Sequence, residues 1–123
     1  MSTVVSYAPA PESRAIVDIK SSYGLFIGGE FVDGRGQGFK TITPANEEVL
    51  AEVSEATEAD VDAAVTAARK AFRTWSRLTG AERGKYLFRI ARIIAERARE
   101  LAVLESIDNG KPIKESRDVD VPT

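Results

Sequence analysis

Asp108 is the residue whose placement asks most clearly for a chemical explanation. It falls in the last turn of a helical pattern, where unpaired carbonyls and the negative end of the helix dipole disfavour a carboxylate by roughly 0.3–1 kcal/mol. A positive group should offset it. Two candidates stand open: the ammonium of Lys111, three positions on, or a bound cation, for which carboxylate and carbonyl oxygens are suitable hard donors. Other constellations lead nowhere. Gly110-Lys111 would need a glycine five positions earlier to end a P-loop, and Glu105 stands there. The glycine-rich stretch 33–38 precedes no helix pattern that could present its N-terminus to a phosphate, so it reads as a connector. Glu96, Glu100 and Glu105 alternate with Arg92, Arg97 and Arg99, the pattern of a salt-bridged solvent face rather than of a catalytic acid pair.

The chain has neither cysteine nor histidine. That removes thiol nucleophiles, Ser-His-Asp triads and Cys/His zinc sites from its own repertoire. With 17 basic and 19 acidic residues, a net charge of −2, it offers no broad basic field for nucleic acid. No run of eighteen or more apolar residues is present, and the start lacks a secretory pattern, so the expectation is a cytoplasmic protein without a membrane span.

Two helices and a small strand set must position Asp108. Residues 1–24 carry no sustained period and read as a loosely ordered arm; the organised unit spans 25–123. Within it, Leu25-Phe26-Ile27 and Glu30-Phe31-Val32 flank Gly28-Gly29, which predicts a two-residue hairpin. Residues 39–42 and 48–53 predict two further strands, separated by a Thr43-Pro44-Ala45-Asn46 stop. Thr57 and Asp60 resemble a capping box that opens a helix over 58–76, with Val61, Ala64, Val65, Ala68, Phe72 and Trp75 on one face, where helical spacing makes Phe72 and Trp75 core. A second helix is predicted over 81–108, about 42 Å long at 1.5 Å per residue, with Leu87, Ile90, Ile94, Ala98, Leu101, Leu104 and Ile107 sharing a face. Asn109-Gly110 and Pro112 stop it. So long a stripe exceeds what this chain can cover, and residues 113–120 begin another helical pattern; together these suggest a truncated unit.

Four segments carry a specific resemblance: LFIGGEFV at 25–32, FKTITPANEEVLAEV at 39–53, ATEADVDAAVTAARKAFRTW at 56–75, and 82–112, ending in LAVLESIDNGKP. In this order they resemble the N-terminal portion of the NAD(P)-dependent aldehyde dehydrogenase superfamily, departing from it at Thr43, where the family usually has Asn. The resemblance implies an α/β fold, the start of a Rossmann-like cofactor domain, here a small antiparallel strand set plus two long helices. It implies a parent enzyme that oxidises an aldehyde to a carboxylic acid with NAD or NADP. In that family a cysteine attacks the aldehyde, backbone and Asn donors hold the oxyanion, and a Glu activates water. None of those residues lies in this chain, nor does the Gly-rich cofactor turn. Several family members hold a monovalent cation such as potassium through positions matching the carbonyls of Thr41 and Ile42 and the carboxylate of Asp108. The implied partners are the remainder of the enzyme, an aldehyde substrate in the parent, and further copies in a homo-oligomer. Two alternatives stay open: a free-standing interaction module, and one half of a split enzyme complemented in trans.

Overall fold

A computed structural model describes residues 13–122. The first half of the expected arm lies outside the described residues. Its second half is ordered into the fold: a 3-10 turn, Arg14–Ile16, and a short strand β1, Ser22–Tyr23, that pairs with the edge of a sheet. The remaining strands are β2 (Leu25–Ile27), β3 (Glu30–Val32), β4 (Phe39–Ile42) and β5 (Val49–Val53). Then follow the helices α1 (Glu58–Trp75), α2 (Gly80–Glu96), α3 (Ala98–Asn109) and the single turn α4 (Ile113–Glu115), which runs into a π-helical turn, Ser116–Asp120.

The strands form two sheets. β2 and β3 make the expected antiparallel hairpin, with Gly28 at φ 66° and Gly29 at φ 95°, the paired positive values that a two-residue turn demands. The second sheet has the order β1-β5-β4 and is mixed, not purely antiparallel: β4 runs against β5, but β1 runs parallel to it. A two-residue strand inside an aperiodic segment carries no alternation signal, which is why the sequence pattern did not announce it.

Helix α1 begins where the capping box placed it. The Thr57 hydroxyl accepts from the Asp60 N–H, and the Asp60 carboxylate accepts the Thr57 N–H at 2.9 Å and the Thr57 hydroxyl at 2.7 Å. The same Oδ2 also accepts the backbone N–H of Arg35 at 3.1 Å, while the Arg35 guanidinium lies 3.4 Å from Oδ1. Asp60 is buried, and these donors, Thr57 first, hold its pKa below the usual carboxylate value against the opposing effect of burial. The stretch 33–38 is therefore no free connector. Gly36 N–H donates to the Glu55 carbonyl at 3.2 Å, and a Cβ at Gly36 would stand 2.5 Å from that oxygen, so a bare backbone is required there.

The long second helix is two helices. Arg97 leaves helical geometry at φ −106°, ψ 14°, between α2 and α3. No glycine or proline marks the break; residues 95–99 are helix formers, and tertiary packing overrides their propensity. The break changes which face α3 buries. Ala102, Val103 and Ile107 are buried, in place of the expected Leu101-Leu104 stripe, because α3 packs on the 3-10 turn and on the segment 113–120, whereas α2 buries no residue at all. Ala51 of β5 completes the buried apolar set. Phe72 and Trp75, expected in a core, are exposed at 64% and 37% among the described residues, and Trp75 meets Tyr86 edge-on with ring centroids 5.4 Å apart. No described helix is long and apolar enough to cross a membrane.

Replacing Thr57 with Ala should cost about 1–2 kcal/mol of stability, as loss of an N-cap does. Asp60→Asn adds a pH signature. A carboxylate whose pKa is lowered by folding stabilises above its unfolded value, near 3.8, and that contribution fades as pH falls through the lower folded value. The variant should thus melt below the parent chain at neutral pH and converge with it toward strongly acid pH, as followed by circular dichroism.

Candidate functional site

The end of β4 is where the sheet is irregular. Thr41 pairs with Ala51 but Ile42 pairs with Val49, so Leu50 is an extra residue and the ladder slips between Thr41 and Ile42. Such a bulge interrupts regular pairing and re-aims the backbone on either side. Immediately after it, Thr43 closes the β4–β5 loop: its N–H donates to the Glu48 carbonyl at 3.0 Å, and its own carbonyl accepts from Glu47 at 2.9 Å. Glu47 sits at φ 61°, and the Asn46 side chain accepts the Glu48 N–H. Thr43 itself is buried.

Facing this irregularity is the last turn of α3, closed by Gly110 in the left-handed region at φ 76°. Between them lies a cavity of ≈ 490 Å³, whose wall includes Thr41, Leu50, Ala51, Leu104, Glu105 and Asp108. The structure thus brings Thr41 and Asp108 to one cavity. Ile42 stands one residue further along the strand, exposed and outside that wall.

Lys111 does not answer Asp108. Its ammonium is hydrogen-bonded to the Asp120 carboxylate of the π-helical turn and lies 3.9 Å from Glu105. The hydrogen bond to Asp120 raises the Lys111 pKa most; burial opposes it, and the charges of Asp120, Glu105 and Glu115 add to it. Of the two offsets considered for Asp108, the ammonium is committed elsewhere. Asp108 is exposed at the cavity rim.

Glu105 was read as part of a salt-bridged solvent face, and here the structure differs. Arg92 pairs with Glu96 at 2.9 Å and Arg97 with Glu100, as the pattern predicts. Glu105, three positions before Asp108 and so on the same side of α3, instead lines the cavity. That i, i+3 relation was the available signal. Among the described residues no group of three or more His, Cys, Asp or Glu side chains is arranged to hold a metal ion. What the cavity offers is hard oxygen: two carboxylates and strand backbone, with no nucleophile.

Lys111→Met should release the π-helical turn from the end of α3. Because folding raises the lysine's pKa, the tie is fully present at neutral pH and is lost only as pH rises through the folded value, above 10.5. Amide exchange over 116–120 should therefore quicken several-fold in the variant at pH 7, while the parent chain should show the same loosening only in strong alkali.

Comparison with known proteins bears on what this arrangement belongs to. The model of the aldehyde dehydrogenase family matches residues 31–123. Aldehyde dehydrogenase 1 of Tanacetum cinerariifolium is 54% identical over 99 residues, which is 78% of this chain and 20% of that protein. An aldehyde dehydrogenase of Aspergillus niger is 48% identical over 99 residues, 79% of this chain and 20% of its own length. Among solved structures, the NAD+ complex of the Bacillus cereus aldehyde dehydrogenase superposes with a TM-score of 0.80 at 43% identity, covering 94% of this chain and 24% of that one. The chain spans about one fifth of the length of the curated relatives it matches.

Proposed function

The chain belongs to the aldehyde dehydrogenase family, matching its N-terminal portion, and on that premise we propose that it forms an outer layer of an enzyme that oxidises an aldehyde to a carboxylic acid. The carrying observation is the family match over residues 31–123, joined to backbone agreement with a relative whose structure contains NAD. NAD or NADP, when bound to the parent, would accept hydride from the substrate. No residue of this chain is assigned to the cofactor or to the bond-making steps, since the chain has no cysteine to act as the nucleophile that the family resemblance implies. Its contribution is architectural: α1 and the strand region are locked through Asp60, and α3 is seated on the sheet beside the cavity. A cytoplasmic setting and a homo-oligomeric parent belong to the same reading.

The test is a fusion. This chain replaces the matched segment of the Bacillus cereus enzyme, and aldehyde-dependent formation of the reduced cofactor is followed by absorbance. The expected outcome is a soluble, active chimera with a rate within an order of magnitude of the natural enzyme. A chimera that folds and binds NAD but turns over no aldehyde would count against the reading.

The reading extends to a monovalent cation held by the carbonyls of Thr41 and Ile42 and the carboxylate of Asp108. Three observations support it. Thr41 and Asp108 border one cavity, the ladder slips between Thr41 and Ile42, and Lys111 is engaged with Asp120. One carboxylate with neutral carbonyls suits a singly charged ion such as potassium, whose role would be to offset the charge at the end of α3. In the chimera, potassium should raise the melting temperature relative to a bulky organic cation at equal ionic strength, and Asp108→Ala should abolish that difference. An unchanged potassium response in the variant would remove the cation from the reading.

A further inference from the structure

The apolar surface of this chain is divided unevenly. The α3 layer buries its side chains within the chain, while α2 buries none. On α2, Leu87, Ile90 and Ile94 are 62%, 54% and 42% exposed at spacings of three and four, a stripe of large aliphatic side chains over two turns. On α1, Val61, Val65 and Phe72 form an equivalent exposed stripe. Trp75 and Tyr86, in edge contact, join the two helices across their connection. A groove of ≈ 690 Å³ runs between the hairpin and the alanine side of α1, walled by Phe26, Ala64, Ala68 and Ala71. Scattered apolar residues on a surface need no explanation, but two aligned stripes and a groove do.

Phe88, at 75% exposure, marks the other side of α2. It is turned roughly 100–160° from Leu87, Ile90 and Ile94 at about 100° per residue. Its neighbours on that flank are Lys85, Arg89, Arg92 and Glu96. The two sides of α2 therefore differ in kind: one is uncharged and aliphatic, the other charged with a single ring.

We propose that the aliphatic stripes of α1 and α2, with the hairpin groove, are one docking face for the part of an aldehyde dehydrogenase outside the matched 20%, and that they take it as a separate polypeptide in trans. This rests on the family reading above. The occupant follows from the comparison: a solved relative carries this backbone, at a TM-score of 0.80, as 24% of a larger folded chain, so the face that is uncovered here lies where the rest of such a chain is present. The face is pre-shaped, because both helices are independently capped, α1 by Thr57 and α2 by Thr79, whose hydroxyl accepts from the Glu82 N–H. Docking then orders little that is not already helical, which lowers its entropic cost.

The experiment co-expresses this chain with the Bacillus cereus aldehyde dehydrogenase lacking its matched segment, and measures co-purification and NAD-dependent aldehyde oxidation. A one-to-one complex with activity is expected. Leu87→Asp and Ile90→Asp should each weaken association at least about tenfold, the scale of a central interface position, whereas Phe88→Ser should leave it within about twofold. Positions 87 and 90 are exposed in this chain, so these variants should keep its helical signal, which circular dichroism checks. If the covalent fusion is active and the co-expressed pair neither binds nor turns over, docking in trans is wrong and the family reading stands. Should both fail, the family reading falls with it. If Phe88→Ser weakens binding as much as Leu87→Asp, the assigned face is wrong.

Discussion

A single carboxylate oxygen, Oδ2 of Asp60, gathers three donors from two distant parts of the chain. Two belong to Thr57 and fix where α1 starts; the third is the backbone N–H of Arg35 and fixes where the loop before β4 runs. Few other contacts hold α1 to this chain, chiefly those it makes with β2 of the hairpin. The direction of α1, and with it the position of the turn into α2, therefore hangs on a buried charge whose hydrogen bonds are supplied almost wholly by backbone and hydroxyl. A buried ion is costly unless its lone pairs are satisfied, and here the satisfying groups are themselves structural. The glycine at 36 belongs to the same constraint, because the loop can reach Asp60 only by passing close to the Glu55 carbonyl.

Burial is concentrated at the other end of the molecule. Ala102, Val103 and Ile107 of α3 and Ala51 of β5 are small or medium side chains, and the polar Ser116, fully buried, is satisfied by the Ser106 hydroxyl at 3.0 Å. This layer holds the cavity wall in place: the carboxylates of Glu105 and Asp108 are carried on a helix whose opposite side is packed. The helices α1 and α2, by contrast, are held by their caps and their connection more than by any core. Local stability should differ accordingly, being highest where α3 meets the sheet and lowest along α2.

Much of this was legible in the residues themselves. The hairpin at Gly28-Gly29, the start of α1 at Thr57, the stop at Gly110 and the place of Asp108 in the last helical turn all follow from local chemistry, and local chemistry survives whatever surrounds it. The family resemblance, too, was carried by contiguous segments. What stayed hidden was decided between distant parts. The parallel pairing of Ser22–Tyr23 has no local signal, the break at Arg97 contradicts local propensity, and the reach of Asp60 to Arg35 spans 25 positions. Phe72 and Trp75 show the converse: helical spacing says correctly that a face is apolar, but not that this chain supplies the cover. Of the cation set, Asp108 stood out by electrostatics alone, while the slip in the ladder at Thr41–Ile42 required the sheet to be seen.

The exposed stripe on α2 also bears on how such a chain survives synthesis. A ribosome releases this segment before whatever follows it, so Tyr86, Leu87, Phe88, Ile90, Ile93 and Ile94 are in water for a time without cover. An apolar run of that length would ordinarily invite strand-to-strand aggregation, which favours windows of five to seven residues without charge. Here Arg89 and Arg92 interrupt every such window, and the Thr79–Glu82 cap favours helix from the first turn. The two arginines thus act as gatekeepers in time as well as in space, keeping a sticky helix soluble during the interval when it has nothing to pack against.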